Sequence, residues 1–192
     1  MKSSNSLIDI RDTGLNWFPA EASPASLSAE LVALLCDADS LTQHLIEISD
    51  ESFRVELQQE EWLRVDSMQL RREFGPVAPE HKFWSRKTVL LSDEQPVVLA
   101  HSLLPQHASA SALGEICQLG VQPLGAYLFR QPDLQRQSFL LAESSAGYWG
   151  RRSMFFTDHK PIMVAEFFIP GRKLDKLLTK IVGQHSTKVS NF

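Results

Sequence analysis

Gly147-Tyr148-Trp149-Gly150-Arg151-Arg152-Ser153 and, shortly after, Lys160-Pro161-Ile162-Met163-Val164-Ala165-Glu166-Phe167-Phe168-Ile169-Pro170 are the stretches that decide the fold. Two arginines lead into an apolar run, Asp158-His159 supplies a polar turn, and a second apolar run carries a single carboxylate. This layout predicts a β-hairpin with Glu166 in a strand whose neighbours on both faces are apolar. A carboxylate there needs a partner, because burying it unpaired is costly or shifts its pKa. A two-residue turn sets Arg151 opposite Glu166, and a three-residue turn sets Arg152 there; spacing does not choose between them. Glu166 is then either a structural carboxylate or part of a site for a small polar acid.

The same pattern extends upstream. Phe83 to Leu91 and Pro96 to Leu104 flank Ser92-Asp93-Glu94-Gln95 and read as a second hairpin. Phe53, Val55 and Leu57 alternate with Arg54, Glu56 and Gln58, the period of a half-buried strand, which Gln59 to Val65 continues or pairs with. Gln135 to Glu143 adds strand character before Trp149 to Thr157. Short helices are predicted after Ser23-Pro24, where Leu27, Leu31, Leu34 and Leu35 form a stripe, and after the cap Asp39-Ser40. Leu113 to Leu119 gives another, ended by Gly120, and Pro123 opens a turn through Leu124 to Phe129. Ser67 to Lys82, with Gly75-Pro76 and Pro79, reads as a loop. Hairpins with only short helices predict an α+β fold, a single antiparallel β-sheet with helices on one side. Residues 1–22 read as a flexible arm. After Gly171 one amphipathic turn (Leu174, Leu177, Leu178, Ile181) precedes a stretch from Gln184 expected to be disordered.

A chain of 192 residues suits one domain, and 43% apolar with 22% charged residues places it among globular proteins. The net charge of −4 offers no field for nucleic acid or anionic lipid, so an anionic ligand needs a local cationic pocket. No stretch approaches the roughly 18 apolar residues of a membrane span, and the N-terminus lacks the apolar segment of a signal peptide. A cytoplasmic monomer is expected. Cys36 and Cys117 are expected to be buried thiols in a reducing compartment. The histidines lack H-E-x-x-H spacing, and C-x-x-C, G-x-G-x-x-G, phosphate-loop and G-x-S-x-G motifs are absent. No metal and no cofactor are expected, which leaves cofactor-free chemistry or ligand binding.

Arg86 is the second landmark. One face of its strand reads Trp84, Arg86, Thr88, Leu90. Arg86 is either a surface ion pair or a planar fork projecting into a cavity, where it would match a carboxylate. A two-residue turn at Asp93-Glu94 would set it opposite His101, itself a core histidine or a further donor. Trp84, Tyr148 and Trp149 either pack in the core or stack on a ligand.

Phe83-Trp84-Ser85-Arg86 through Leu91, Pro123-Leu124-Gly125-Ala126-Tyr127-Leu128-Phe129, Trp149-Gly150-Arg151-Arg152-Ser153 and Glu166-Phe167-Phe168-Ile169-Pro170 together resemble the chorismate pyruvate-lyase family, small bacterial enzymes that open ubiquinone biosynthesis. The resemblance implies a cofactor-free lyase converting chorismate to 4-hydroxybenzoate and pyruvate. It also implies a sheet with helical flaps over a buried ligand site. Carried over residue by residue, Arg86 and Glu166 are the catalytic pair, holding the ring carboxylate and the 4-hydroxyl group. Leu41 and Leu124 give main-chain contacts to the carboxylate. His101 stands where the family usually has an arginine in an A-R-[ST]-x-x-P strand, and is taken as a substrate-binding donor. Residues 23–170 correspond to the family domain and 171–192 to a partly disordered C-terminal extension. The alternative is a non-catalytic effector-binding domain of related fold that senses a small aromatic acid. Such domains normally follow a DNA-binding helix-turn-helix, for which the 52 residues before Phe53 are expected to be too few and too acidic.

Overall fold

In the computed structural model, which describes residues 8–12, 14–110 and 112–189, the chain runs through eight strands and five α-helices. These are β1 (Phe18–Pro19), α1 (Ala29–Leu35), α2 (Leu41–Ile48), β2 (Phe53–Leu63), α3 (Met68–Arg72), β3 (Phe83–Ser92), β4 (Gln95–Pro105), α4 (Leu124–Leu128), β5 (Gln135–Arg136), β6 (Leu140–Glu143), β7 (Trp149–Thr157), β8 (Lys160–Phe168) and α5 (Arg172–Val189). Short 3₁₀ turns cover Ala20–Ala22, Gln106–Ala108 and Ala112–Gln118. All strand pairs are antiparallel, in the order β1-β6-β7-β8-β4-β3-β2, with β5 paired to β7.

Both predicted hairpins close through two-residue turns. Asp93 and Glu94 have φ of 48° and 61°, and Asp158 and His159 have 48° and 56°. Consecutive left-handed residues match the strand twist of a type I′ turn. In β7, Gly150 is required by packing, since a Cβ there would meet the Phe167 ring at 2.4 Å.

The sheet buries both faces. On one side Leu34, Leu35, Leu45 and Ile48 from α1 and α2 pack with Leu174, Leu177 and Ile181 of α5 against Val55, Leu90, Val98 and Phe168. Beside them, Ile116, Leu124 and Leu128 cover Leu104, Phe155 and Ile162. On the opposite face Ile10, Leu70 and Phe74 close over Phe83, Leu99, Met163 and Phe167. The inner strands β3, β4, β7 and β8 therefore read as nearly continuous apolar runs, as two-sided burial requires, whereas the edge strand β2 keeps exposed polar residues.

Several expectations need correction. The first helix starts at Ala29, where the Ser28 hydroxyl accepts from the Leu31 amide, and not at Ser23-Pro24. Ser40 caps α2 as predicted, accepting from Gln43. The predicted loop after Ser67 contains α3, because Ser67 caps Leu70 and the buried Leu70 gives the turn something to pack on. The predicted flexible arm is held over its described residues: Ile10 is buried, Asp9 pairs with Lys87, and Phe18–Pro19 adds a strand beside β6. Residues 1–7 lie outside the described part. The C-terminal segment is helical to Val189, its apolar stripe is buried, and Lys173 and Lys176 bond Asp50. Residues 190–192 lie outside the described part. Cys36 and Cys117 are half-buried free thiols. No described helix is long and apolar enough to cross a membrane.

Candidate active site: an arginine-lined cavity

Two β-bulges decide what surrounds Arg86. Gln58 is an extra residue in β2, and Val97 is an extra residue in β4. The first sets Glu60 opposite Arg86; the second sets Ser102 there and moves His101 opposite Lys87. A regular ladder from the Asp93-Glu94 turn would have paired Arg86 with His101, so that expectation fails by one residue.

Arg86 is 3% exposed and points to a cavity between the sheet and helices α2 and α4. Its Nε donates to Glu60 Oε1 at 3.1 Å, and its Nη2 donates to the carbonyls of Gly120 (2.7 Å) and Gln122 (2.9 Å). Nη1 makes no hydrogen bond among the described residues. Burial pulls the guanidinium pKa down, and Glu60 opposes that shift. Arg86 is thus a fixed, desolvated cation with one donor end left over.

Glu166 lines the same cavity. The two-residue turn selects Arg151 as its cross-strand neighbour, and Arg151 Nε donates to Glu166 Oε2 at 2.7 Å. Arg151 Nη1 donates to the carbonyls of Leu34 (3.2 Å) and Asp37 (2.8 Å), so it also anchors the chain between α1 and α2. Glu166 Oε1 has no hydrogen-bond partner among the described residues. Arg152 points to the other face, where it meets Glu73 at 2.8 Å and lies over the Trp17 ring.

Leu41 and Leu124, the first residues of α2 and α4, also line the cavity. The first amides of a helix have no intrahelical partner. The two helices approach closely: a Cβ on Gly125 would meet Thr42 Oγ1 at 2.6 Å. Val55, Leu90, Leu128, Phe139, Phe155 and Val164 supply apolar wall.

Arg136, Asp39, Thr88 and Ser102 line the cavity as well and were not anticipated. Arg136 sits in a two-residue strand paired to Phe155 and Phe156, too short to leave a periodic pattern. Its Nη2 donates to the Ala38 carbonyl at 2.9 Å, and its guanidinium lies 4.4 Å from the Phe139 ring centroid. Trp84, Tyr148 and Trp149 are not part of the wall; Trp84 packs on Trp62, and Trp149 on Phe18.

His101 is not in the cavity, which corrects the expectation that it binds substrate. It projects to the opposite face, 2% exposed, where Nδ1 accepts from the Ile10 amide at 2.9 Å. Nε2 therefore carries the proton and donates to Ser85 Oγ at 2.9 Å. Burial pushes its pKa down to about 3, so it is a neutral core histidine. Beside it, burial raises the Asp9 carboxyl, but hydrogen bonds from Arg11 and Lys87 outweigh this and hold it well below the usual carboxylate range.

One set of possible metal donors is brought together among the described residues: Asp37, Asp39 and His44, within 4.8 Å of one another. Asp37 Oδ2 and His44 Nε2 are hydrogen-bonded at 2.9 Å, so two of the three donor groups already satisfy each other.

A family model described as chorismate lyase matches residues 15–178 of the sequence. The chain belongs to the chorismate lyase family. Among curated members, it is 33% identical to the chorismate pyruvate-lyase of Erwinia tasmaniensis over 88% of this chain and 93% of that one. It is 30% identical to the chorismate pyruvate-lyase of Pectobacterium carotovorum over 81% of this chain and 85% of the relative. The C-terminal domain of a histidine utilization repressor from Pseudomonas syringae is similar with a TM-score of 0.46 and 15% identity, over 64% of this chain and 94% of that domain. For this chorismate lyase family chain, the match runs past Gly171 into α5, the helix whose Leu174 and Leu177 complete the core over α1 and α2.

Proposed function

We propose that this chain is a chorismate pyruvate-lyase that releases 4-hydroxybenzoate and pyruvate from chorismate in the cytoplasm, the first step of ubiquinone biosynthesis. The observation that carries the reading is one apolar-walled cavity holding an uncommitted donor end of Arg86 and an uncommitted oxygen of Glu166. An aromatic acid with a para hydroxyl offers the complementary groups at its two ends. In this reading Arg86 holds the ring carboxylate, helped by the amides of Leu41 and Leu124, and Glu166 accepts from the 4-hydroxyl group.

The reaction asks little of the protein beyond this. The C3–O bond to the enolpyruvyl group breaks and the C4 hydrogen leaves as a proton. A proton is gained at the enolpyruvyl methylene, so pyruvate and the aromatic acid together account for every atom of chorismate. Aromatisation supplies much of the driving force. The side chains orient a dianion, exclude water and stabilise charge on the departing oxygen. Helices α2 and α4 act as flaps, because a ligand lying between them and the sheet can leave only when they part.

Incubating the purified protein with chorismate and following 4-hydroxybenzoate absorbance tests the proposal. Tight binding of 4-hydroxybenzoate without turnover would overturn it in favour of an effector-binding domain.

A further inference from the structure

We propose that Arg136 receives the second carboxylate of the substrate, the one on the enolpyruvyl arm, and so distinguishes substrate from aromatic product. This rests on the reading of the cavity as a chorismate lyase site. Chorismate is a dianion whose two carboxylates sit on different parts of the molecule, and each needs a cation in a site closed to water.

The cavity wall contains three arginines, and two already have a carboxylate. Arg86 pairs with Glu60, and Arg151 pairs with Glu166. Arg136 makes no ion pair among the described residues. Its one hydrogen bond is from Nη2 to the Ala38 carbonyl, which leaves Nε and Nη1 without partners there. Burial lowers its pKa and the nearby positive charge of Arg151 lowers it further, while the carboxylates of Glu166, Asp37 and Asp39 oppose the shift. A partly desolvated cation beside a second cation, with no carboxylate in direct contact among the described residues, has donors free for an anion.

Its position fits the enolpyruvyl arm and not the ring carboxylate. Arg136 and Arg151 share the Phe139 ring, at 4.4 and 4.6 Å from its centroid, and Arg151 holds Glu166. Arg136 is therefore at the Glu166 end of the cavity, whereas Arg86 is tied to the carbonyls of Gly120 and Gln122 that precede α4. In the substrate, C3 with its enolpyruvyl ether is adjacent to the C4 hydroxyl group. With that hydroxyl at Glu166, the arm lies at the end where Arg136 is unpaired. Arg136 then keeps hold of the departing fragment while Arg86 keeps the ring.

The product lacks the arm, and this makes the test selective. Arg136→Met keeps an unbranched side chain and removes the charge; Arg136→Lys retains the charge without the planar fork. For Arg136→Met, kcat/KM for chorismate should fall by about 10- to 150-fold, the worth of a charge-assisted pair. The Kd for 4-hydroxybenzoate should be unchanged, and Arg136→Lys should recover part of the loss. Intact product binding also reports that the cavity is folded. Equal loss for substrate and product, or no loss for either, would overturn the proposal. If Arg136→Met fails to fold, the Lys variant carries the same comparison: a loss of kcat/KM with product binding unchanged supports the proposal, and any other outcome overturns it. Wild-type protein that binds 4-hydroxybenzoate but leaves chorismate intact would instead remove the parent reading.

Discussion

Arg151 Nε donates to Glu166 Oε2 at 2.7 Å from the position directly opposite it on the neighbouring strand. The same arginine holds the Leu34 and Asp37 carbonyls, so the carboxylate proposed to meet the ligand hydroxyl also fixes the chain leading to α2.

Glu166→Gln should consequently act on both stability and turnover. The amide oxygen can still accept from Arg151 but carries no charge, which should cost about 1–3 kcal/mol of stability. Turnover should fall by about a hundredfold or more, because the charged acceptor at the reacting end is lost. Thermal melts and the chorismate assay on one sample read both. Full specific activity in the folded fraction would assign Glu166 a structural role only.

Arg86→Ala should weaken 4-hydroxybenzoate binding by about 1.5–3 kcal/mol, with Arg86→Lys recovering part because the fork geometry is lost. Calorimetric titration measures it. Unlike the Arg136 variants, those at Arg86 should lose affinity for substrate and product alike. Equal product affinity in wild type and Arg86→Ala would remove the residue from the site.

His101 predicts a pH dependence of stability and not of binding. Its folded pKa of about 3 lies below the ordinary histidine value near 6.5. Between these values the unfolded chain binds the proton and the folded chain does not. Stability should therefore be full above pH 6.5 and fall on acidification, by up to about 1.4 kcal/mol per pH unit. Asp9, depressed by Arg11 and Lys87, adds to the loss only below its own unfolded value near 3.8. Urea unfolding of wild type and His101→Gln between pH 4 and 7 should show a flatter slope in the variant, with KM for chorismate unchanged at pH 7. Parallel slopes would mean that His101 is not the proton-linked group.

Gly125→Ala should loosen the cover over the cavity, since the new methyl group would meet Thr42 Oγ1 at 2.6 Å. Product should dissociate faster and bind more weakly. Adding Thr42→Ala removes the obstructing oxygen and should restore part of the loss. Rapid-mixing measurements of 4-hydroxybenzoate release would decide this, and an unchanged release rate would show that the two helices need not stay in contact.

The α+β class was legible because both hairpins announce themselves by apolar runs around acidic turns, Asp93-Glu94 and Asp158-His159. Arg86, Glu166, Leu41 and Leu124 do meet around one cavity. What pattern could not supply was register. Pro96-Val97-Val98-Leu99 is apolar on both faces, so nothing in it marks Val97 as the extra residue that turns His101 away from Arg86. The choice between Arg151 and Arg152 likewise waited on the length of a turn. Arg136 was hidden for a different reason: its place depends on pairing with Phe155, nineteen positions away in the chain and across a loop. Helix α3 and the N-terminal segment looked loose because their order comes from non-local burial against Phe83 and from the bonds of Asp9 and Ile10 to Lys87 and His101.

The bulge at Gln58 bears on how chain length can vary in this sheet. Gln58 is exposed, and the pairs on either side of it, Leu57 with Thr88 and Gln59 with Lys87, are already consecutive along β3. Deleting Gln58 would straighten the edge strand and leave Glu60 facing Arg86. An insertion or deletion there is silent for the cavity. An insertion between Gln59 and Glu60 would instead shift the counter-ion relative to the arginine while leaving every cavity residue unchanged.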